Sequence, residues 1–517
     1  MFGGIVSGLP PWLHGREDKT QLLFFGLAYL SSAALLAVFT LQCQKVHYVV
    51  VVLVSAIAFA LPVFCVWFVG IEIPLSRVLI MTGMAIVLNI CLCQSTTSKN
   101  PVRMLMSGAA VAALLAMTSL SAIRSPWVYR GLDHPFSRVL ETSKHKVQFN
   151  LFREHIPRPE VRGGGLVAVA EKFLLATGDG IFYLLDISSD GNRLNVWPMG
   201  FQVPMNTSGF LEQSSPDIRH NLYRTVDVLL LSRPRSSSKQ ILVSHHYWHQ
   251  EKACYTLRVS IVESSEAQLL ADTTPDNWRT LYETTPCLSI MYGEKAKFAG
   301  HMVGGRMVQL GPNRILLSVG DLDFDGNKTV EMLSQDMSSD YGKIIEISTD
   351  DGSSRIFSSG LRNPQGLHID QQGRIWATDH GPAGGDELNL VEFGNNYGWP
   401  LKTLGTDYEK LTWPPAEGNG SKQTFTWPLF AWNPSIAPSS LTSVVGGSLH
   451  RWQGDLIVSS LSARSLYRVP LGPNGPVMAE PIQVYERVRD IILDSKGRII
   501  FWADDAAAIG LLQAAAD

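Results

Sequence analysis

The densest group of chemically capable residues lies in 358–400, which reads SSGLRNPQGLHIDQQGRIWATDHGPAGGDELNLVEFGNNYGWP. Arg362 and Asn363 stand in a loop before a predicted strand. They offer a planar fork of donors and a side-chain amide, which suit an anionic or carbonyl-rich ligand. The pair therefore predicts a polar-ligand site at the start of a strand.

The turn that follows is a candidate cation site. Gly381 and Pro382 place backbone carbonyl groups in the turn, and Pro382 has no amide hydrogen to compete for them. Asp386 and Glu387 add two carboxylates five residues later. Carbonyl and carboxylate oxygens are the ligands that Ca²⁺ takes in proteins. A glycine-rich turn that carries solvated acids is the simpler alternative.

These residues belong to a body that begins at about residue 126 and consists of short β-rich runs separated by Gly, Pro, Asn and Asp. One unit of two strands recurs, and its six copies lie at 172–187, 239–262, 313–347, 373–391, 454–471 and 497–512. A four-stranded sheet cannot bury both faces alone, so such units pack radially around an axis. The pattern predicts an all-β six-bladed β-propeller over residues 126–517. A β-sandwich is the competing interpretation, but it would need two domains at this length.

Equivalent loops of all blades meet at one end of a propeller, so the loops after the first strand of each unit should converge. They are rich in acids and histidines, which predicts a cation or polar-ligand site. The residues concerned are His245, His246, His249, Asp321, Asp323, Asp325, Asp379, His380, Asp386, Glu387, Ser462, Arg464, Asp504 and Asp505.

Two of these groups have simpler interpretations. The run DLDFDG at 321–326 opens like a calcium loop, but Met332 stands at position twelve, so a solvated acidic hairpin is favoured. His245, His246 and His249 have no acid or cysteine at an informative spacing, so exposed loop histidines are favoured over a transition-metal site.

The motifs RNPQG, HGPxGGDE and NYGWP, in this order and spacing, closely resemble the PQQ-dependent soluble aldose sugar dehydrogenase and glucose/sorbosone dehydrogenase family. The resemblance extends over roughly 300–505. Weaker matches in the correct order are GHMVGGR, SVGD, SQD followed by GKIIEI, WNPSIAPS and RVRD. The family uses pyrroloquinoline quinone (PQQ) on a six-bladed propeller, so the resemblance implies the same fold and cofactor here.

Carried over residue by residue, the resemblance implies roles for five side chains. His301 matches the general base that takes the proton of the sugar hydroxyl as hydride passes to the quinone. Arg362 and Asn363 match contacts to the cofactor. Arg487 and Arg489 match the pair that meets the cofactor carboxylates and the reduced quinone oxygen. These assignments are consistent with a tricarboxylate ligand and with a neutral histidine as base near pH 7.

The resemblance also implies two Ca²⁺ sites. Gly381 and Pro382 match the carbonyl ligands of the ion that polarises the quinone, a Lewis-acid role. Glu387 and the backbone of Tyr397 match a second, structural site. The expected reaction is the oxidation of an aldose or related sugar alcohol group by hydride transfer to PQQ.

The chain departs from the family pattern at two positions. The family has a cofactor-binding lysine before its L-Y-R strand, whereas this chain reads SLSARSLYR and has Ser462, with Arg464 as a candidate substitute. The His301 loop, HMVGGR, contains one residue more than is usual. The alternative function is therefore a catalytically degenerate propeller that acts as a carbohydrate- or protein-binding module.

The first 125 residues differ sharply in composition from the body. Only ten charged residues lie there, against 79 in the remainder of the 517-residue chain. Charge-free apolar runs of about 20 residues, long enough to cross a bilayer, occupy 22–42, 49–70, 78–98 and 104–123. The segment 1–125 is thus predicted to be a four-helix transmembrane region, which makes the chain a multi-pass integral membrane protein.

Location and partners are less directly encoded. The few loop charges weakly favour an inside location for the body, whereas the family context predicts the periplasm or the cell exterior. Cys254 and Cys287 could pair in an oxidising compartment. The expected partners are a sugar substrate and, for a membrane-embedded enzyme, a membrane quinone or other electron acceptor. The nearly balanced net charge of −3 argues against nucleic acid.

Overall fold

The computed structural model describes residues 135–214, 218–232, 238–274, 276–292, 295–296, 298–409, 412–416 and 424–515. The four predicted membrane spans and the predicted domain boundary after residue 125 lie outside these residues, so they stay predictions. Within the described ranges, no helix combines the length and the apolar character that crossing a bilayer requires.

Six antiparallel sheets in the described part of the chain form a propeller, as predicted. The first blade contains β3 (Gly164–Val169), β4 (Lys172–Thr177), β5 (Ile181–Ile187) and β6 (Leu194–Gln202). The second contains β7 (Thr225–Ser232), β8 (Ser238–His249), β9 (Cys254–Ser265) and β10 (Arg279–Glu283), with the short β11 (Leu288–Ser289) also paired to β9. The third contains β14 (Gly304–Gly311), β15 (Arg314–Val319), β16 (Lys343–Ser348) and β17 (Ser354–Ser359).

The remaining blades repeat the same order. The fourth contains β18 (Pro364–Ile369), β19 (Ile375–Asp379), β20 (Asp386–Val391) and β21 (Phe430–Trp432). The fifth contains β22 (Pro438–Ser443), β23 (Leu456–Ser460), β24 (Ser465–Val469) and β27 (Glu480–Gln483). The sixth combines β28 (Val488–Leu493), β29 (Ile499–Ala503) and β30 (Ala508–Ala514) with β1 (Phe136–Glu141) and β2 (Lys146–Phe152).

Small elements decorate the blades. Two hairpins pair β12 (Met291–Tyr292) with β13 (Lys295–Ala296) and β25 (Leu471–Gly472) with β26 (Gly475–Pro476). The helices are α1 (Thr207–Gln213) and α2 (Glu266–Leu270), and short 3₁₀ turns span His220–Leu222, Gly300–Met302, Pro414–Ala416 and Gly447–Trp452. The turn Gly300–Met302 carries the predicted base.

Each predicted repeat unit corresponds to the second and third strands of one blade, and these strands are apolar on both faces. In β29, Ile500 and Trp502 pack towards the first blade, whereas Ile499 and Phe501 pack towards the fifth. All five residues of β29 are buried. A blade therefore derives its core from both neighbours, which is why the sheets form a closed ring.

The ring is closed by the two ends of the body. β2 pairs antiparallel with β30, from Val147 opposite Ala514 to Phe152 opposite Ile509, and β1 pairs with β2 on the outside. The sixth blade contains strands from both ends of the described chain. The first blade cannot be pulled away together with β2 unless the whole β2–β30 ladder is broken.

Candidate functional site

The loops that carry the predicted site residues meet at one end of the propeller. In the fourth blade, Pro364 at the start of β18 lies opposite Asp379 at the end of β19, and Asp379 in turn lies opposite Glu387 in β20. The loop entering an inner strand and the loop after the second strand are therefore neighbours in each blade. We call this end of the central opening the mouth.

Asp379 fixes the first predicted pair. Its carboxylate accepts hydrogen bonds from the backbone amides of Arg362 (2.8 Å) and Asn363 (2.6 Å). Burial raises the pKa of Asp379 to about 6, against the opposing effect of these two amides. The loop before β18 is thus tied to the end of β19, and both predicted side chains start from a rigid base.

The guanidinium of Arg362 binds the turn that was predicted to hold Ca²⁺. Its Nη1 donates to the carbonyl oxygen of Gly381 over 2.9 Å, and the group lies over the Trp399 ring, 5.3 Å from the centroid. The Nε atom of Arg362 is buried without a hydrogen-bond partner. Arg362 therefore holds the turn with one nitrogen atom and leaves another available to a ligand.

Asp386 has a structural role in the same turn. Its carboxylate accepts from the backbone amide of Gly381 and, across to the next blade, from Ser435 Oγ and the amides of Ile436 and Ala437. With both oxygen atoms engaged in these bonds, Asp386 braces the turn against the fifth blade.

The His301 loop is anchored to the fourth blade. The backbone carbonyl of His301 accepts hydrogen bonds from Asn363 Nδ2 (3.4 Å) and Gln365 Nε2 (3.3 Å). Asn363 Oδ1 in turn accepts a hydrogen bond from the backbone amide of Gly304 (3.1 Å). The His301 side chain is accessible to solvent. Surrounding protein nevertheless lowers its pKa to about 4, mainly by desolvation, with Asp323 opposing this effect. The imidazole is therefore neutral at pH 7.

Arg487 and Arg489 flank one buried carboxylate. Arg489 Nε donates to Asp504 Oδ2 (2.8 Å), and Arg487 Nε lies 3.2 Å from Asp504 Oδ1. Arg489 Nη1 also donates to Gln365 Oε1 (2.8 Å), while its Nη2 is buried without a partner. Gln365 thus connects a predicted cofactor contact to the backbone of the predicted base.

Arg224, at the start of the second blade, is a third cation beside this pair. Its side chain is 3% exposed, and its Nε has no hydrogen-bond partner. Desolvation first, and then the neighbouring Arg489 and Arg487, lower its pKa to about 9. Arg224 also influences the pKa of His301, which is in turn influenced by Arg362. The base, the arginines and the turn at Gly381 therefore share the mouth.

A salt-bridge cluster lies on the propeller axis among the inner strands. Arg306 Nη1 contacts Asp227 Oδ1 (2.6 Å) in β7 and Asp490 Oδ1 (2.7 Å) in β28. Other nitrogen atoms of Arg306 donate to the carbonyl oxygens of Gln365 in β18 and Ser439 in β22. One guanidinium thus joins five inner strands, including its own β14, and fills the axis.

The predicted metal residues differ in how well they suit a cation. The Gly381 carbonyl already accepts from a guanidinium, so a Ca²⁺ ion there would have to displace Arg362. Glu387 is half-buried, accepts from Asn389 Nδ2, and shares a small cavity with Tyr397. Burial and the nearby Asp379 raise the pKa of Glu387 to about 8. Among the described residues, no three His, Cys, Asp or Glu side chains are grouped as metal ligands.

Several sequence interpretations are corrected. His245 and His246 are fully buried within β8 rather than exposed in a loop, where His245 Nε2 bonds Ser260 Oγ. Asp321, Asp323 and Asp325 are also buried, so the expected solvated hairpin is wrong. Asp321, for example, accepts from Trp399 Nε1.

Arg464, the candidate substitute for the lysine replaced by Ser462, makes other contacts in this structure. Its guanidinium pairs with Asp505 (3.0 Å), donates to the carbonyl oxygen of Tyr485, and is half exposed. Away from the mouth, Cys254 and Cys287 form a disulfide in the second blade, which the sequence left open.

Sequence reasoning missed Arg224 and Gln365. Arg224 directly precedes β7, as Asn363 precedes β18 and Arg487 precedes β28. The position immediately before an inner strand therefore marks side chains at the mouth. Gln365 lies two residues after Asn363 in the RNPQG motif, on the same face of the strand.

The fold and the site together define the class of protein. It is a six-bladed β-propeller whose mouth carries a neutral histidine and several buried arginines. The family model for glucose/sorbosone dehydrogenase matches residues 229–512, more than half of the chain. The chain therefore belongs to the glucose/sorbosone dehydrogenase family.

Curated relatives are similar over part of their length. The uncharacterized protein slr1608 of Synechocystis sp. is 32% identical over 251 residues, which cover 44% of this chain and 57% of that protein. Aldose sugar dehydrogenase YliI of Escherichia coli is 29% identical over 248 residues, which cover 45% and 62%. The chain thus spans less than two thirds of either relative.

Solved structures share the fold. The apo form of the soluble aldose sugar dehydrogenase from Escherichia coli has a TM-score of 0.56 at 19% identity, covering 71% of this chain and all of that one. A glucose dehydrogenase structure has a TM-score of 0.55 at 21% identity, covering 71% and 99%. At these identities the likeness establishes the propeller alone.

Proposed function

We propose that this chain is a PQQ-dependent sugar dehydrogenase that oxidises a hydroxyl group of an aldose or related sugar. The observation that carries the proposal is the set of buried, unpartnered guanidinium nitrogen atoms at the mouth, next to a neutral histidine. Buried cations need an anionic partner, and Asp504 alone provides less charge than the arginines around it. Two similar proteins carry sugar dehydrogenase names, aldose sugar dehydrogenase YliI of Escherichia coli and quinoprotein glucose dehydrogenase B of Acinetobacter calcoaceticus.

The residues present fit a planar tricarboxylate. Arg362 Nε and Arg489 Nη2 are buried without hydrogen-bond partners, so each has an N–H group to offer a carboxylate or quinone oxygen. Arg487 is half-buried beside them and is held by its Nε, which lies 3.2 Å from Asp504. Asn363 would add its amide. In the proposal, Arg362, Asn363, Arg487 and Arg489 hold PQQ, and Asp379 and Asp504 keep Arg362 and Arg489 in place.

His301 is the proposed general base. Its lowered pKa keeps the imidazole neutral near pH 7, and solvent access lets it meet a sugar from the mouth. The imidazole would take the proton of the sugar hydroxyl while the adjacent carbon loses hydride. The cofactor, when bound, supplies the hydride acceptor. Asn363 and Gln365 hold the His301 backbone at the correct place for this transfer.

The proposal includes a Ca²⁺ site formed by Glu387 and Tyr397. Glu387 is a half-buried acid, and the neighbouring Asn389 Oδ1 is buried without a hydrogen-bond partner. Carboxylate and amide oxygens are the ligands that a hard cation prefers. At Gly381 and Pro382 the carbonyl donors do not fit a metal as they stand, because Arg362 binds Gly381. No catalytic step is therefore assigned to a metal at that turn.

The proposed setting is a membrane-anchored enzyme with its propeller in the periplasm or outside the cell. The disulfide between Cys254 and Cys287 supports an oxidising compartment. The four charge-free apolar runs before residue 125 support an anchor, and an anchored enzyme can pass electrons to a membrane quinone. The substrate proposed is a small sugar.

Purified chain supplied with PQQ and Ca²⁺ should reduce an artificial dye with at least one aldose from a broad panel. PQQ binding without turnover on any sugar would reject the enzyme, whereas absence of PQQ binding would favour a second candidate, a binding module on a degenerate propeller. Ser462 and the Arg362–Gly381 contact favour that candidate, since both depart from the implied cofactor and metal contacts. Carbohydrate binding by the protein in the absence of PQQ would then identify it as a binding module.

A further inference from the structure

Arg224 is a buried cation whose charge nothing nearby fully balances. The side chain is 3% exposed, and its Nε is buried without a hydrogen-bond partner. No ion pair of Arg224 occurs among the described residues. Since an uncompensated charge in a protein interior is strongly unfavourable, such a group suits a site where a ligand completes its interactions.

The surroundings of Arg224 are positively charged. Arg487 and Arg489 both lie close enough to lower its pKa, and Asp504 is the carboxylate that opposes them. Asp504 is already engaged by both of those arginines. Three guanidinium groups therefore surround Asp504, while Asp505, the other carboxylate near Arg487, is paired with Arg464. The excess positive charge suits a ligand with more than one carboxylate.

Gly163 leaves space for the side chain of Arg224. Gly163, just before β3, has a φ of +149°, and a Cβ there would lie 3.0 Å from Arg224 Cδ and 2.5 Å from the carbonyl oxygen of Thr225. A larger residue at 163 would therefore crowd both the second blade and the arginine. The first blade accommodates Arg224 at the mouth.

We propose that Arg224 supplies, from the second blade, the cationic contact to a carboxylate of the polycarboxylate ligand that Ser462 cannot supply from the fifth. The proposal rests on the proposed function, because it takes PQQ as that ligand. Arg464, the nearest substitute in sequence, pairs with Asp505 instead. Ligand charge is thus balanced from a different side of the ring than the sequence motif implies.

The test measures PQQ affinity by calorimetry on the full chain. Loss of one charge-assisted hydrogen bond should raise Kd about tenfold to a hundredfold in Arg224→Gln, whereas Arg224→Lys keeps much of the affinity. Arg464→Gln is the matched control and should stay within about twofold of the unmodified protein. Adding Ser462→Lys to Arg224→Gln should restore part of the affinity.

A second readout separates a ligand-binding role from a structural one. In the protein without cofactor, Arg224→Gln removes an unpaired buried charge, so its unfolding temperature should stay equal or rise. Arg306→Met, which breaks a paired buried arginine, should lower it. A fall of several degrees for Arg224→Gln in the cofactor-free protein would assign Arg224 to the scaffold and overturn the inference.

The outcomes distinguish the inference from the proposed function. Equal PQQ affinity in the unmodified protein and Arg224→Gln overturns the inference and leaves the proposed function intact. If the unmodified protein binds no PQQ, the proposed function fails, and benzene-1,3,5-tricarboxylate becomes the probe. Binding that Arg224→Gln abolishes would then support the anion site, whereas absence of binding would overturn it.

Discussion

The guanidinium of Arg362 donates a hydrogen bond to the carbonyl oxygen of Gly381 over 2.9 Å. A carbonyl expected to ligate a metal thus binds a side-chain cation of the same blade. Arg362 is also a proposed ligand contact, so one residue links the anion site to the turn. Binding of an anion at Arg362 should therefore change the affinity of the Gly381 turn for a cation, and cation binding should change the affinity for the anion.

Arg362→Gln should weaken PQQ binding about tenfold to a hundredfold, because it removes a charged donor with a free Nε. Folding should be little affected, since the backbone amide of residue 362 keeps its bond to Asp379. Calorimetry gives the affinity. Arg374→Gln, which alters a more exposed arginine paired with Asp370 in the same blade, is the control and should bind normally.

Glu387→Gln should abolish stabilisation by Ca²⁺. The substitution keeps the shape of this half-buried side chain but removes the carboxyl group whose proton a divalent cation would displace. The measurement is the unfolding temperature with added Ca²⁺ and with a chelator. An unchanged calcium-dependent shift in Glu387→Gln would place the ion elsewhere, and Glu409→Gln, on an exposed loop, is the control.

His301→Asn should lower kcat by about a hundredfold to ten-thousandfold while leaving PQQ affinity unchanged, because the imidazole acts on the sugar proton. With the pKa of His301 near 4, kcat/KM of the unmodified enzyme should fall only as pH drops towards 4, not at about 6.5. Stopped-flow dye reduction measures both. The exposed His450→Asn should behave normally, and an acid limb near 6.5 would contradict the assignment.

Stability should decrease in mild acid. Burial lowers the pKa of His368 to about 4, whereas the unfolded chain binds this proton at about 6.5. The stabilisation is complete above 6.5 and is lost as pH falls towards 4, because protons bind preferentially to the unfolded state. At pH 5 the loss from His368 is about 1–2 kcal/mol. Denaturant unfolding of His368→Gln at pH 7.5 and 5 should show a smaller difference than the unmodified protein.

Arg306→Met should reduce the free energy of unfolding by about 3–5 kcal/mol, because it leaves Asp227 and Asp490 buried without their cation. Arg314→Met, which removes an exposed partner of Glu346 in the same blade, should cost about 0–1 kcal/mol. Denaturant titration of the two variants gives the comparison. Equal losses would show that the axial cluster adds no more than a surface pair.

The repeating apolar strands made the six blades predictable, because each second and third strand must be apolar on both faces. The motif around Arg362 and Asn363 likewise placed two side chains at the mouth. His245 and His246 were misassigned because their polarity suggested a loop. In the structure both are buried in β8, where His245 Nε2 bonds Ser260 Oγ and His246 Nδ1 bonds the Arg224 backbone. The charge excess at Arg224 could not be predicted from sequence, because it arises only when the second blade is brought close to the sixth.

The sixth blade also sets the order of events during synthesis. Of the described strands, β1 and β2 leave the ribosome first, but the strand that β2 needs, β30, leaves last. Until then β2 has one unpaired edge, which is a template for pairing with another chain. The ring can therefore close only after β30 has been synthesised, and the nascent chain is exposed to aggregation through the free edge of β2 until then.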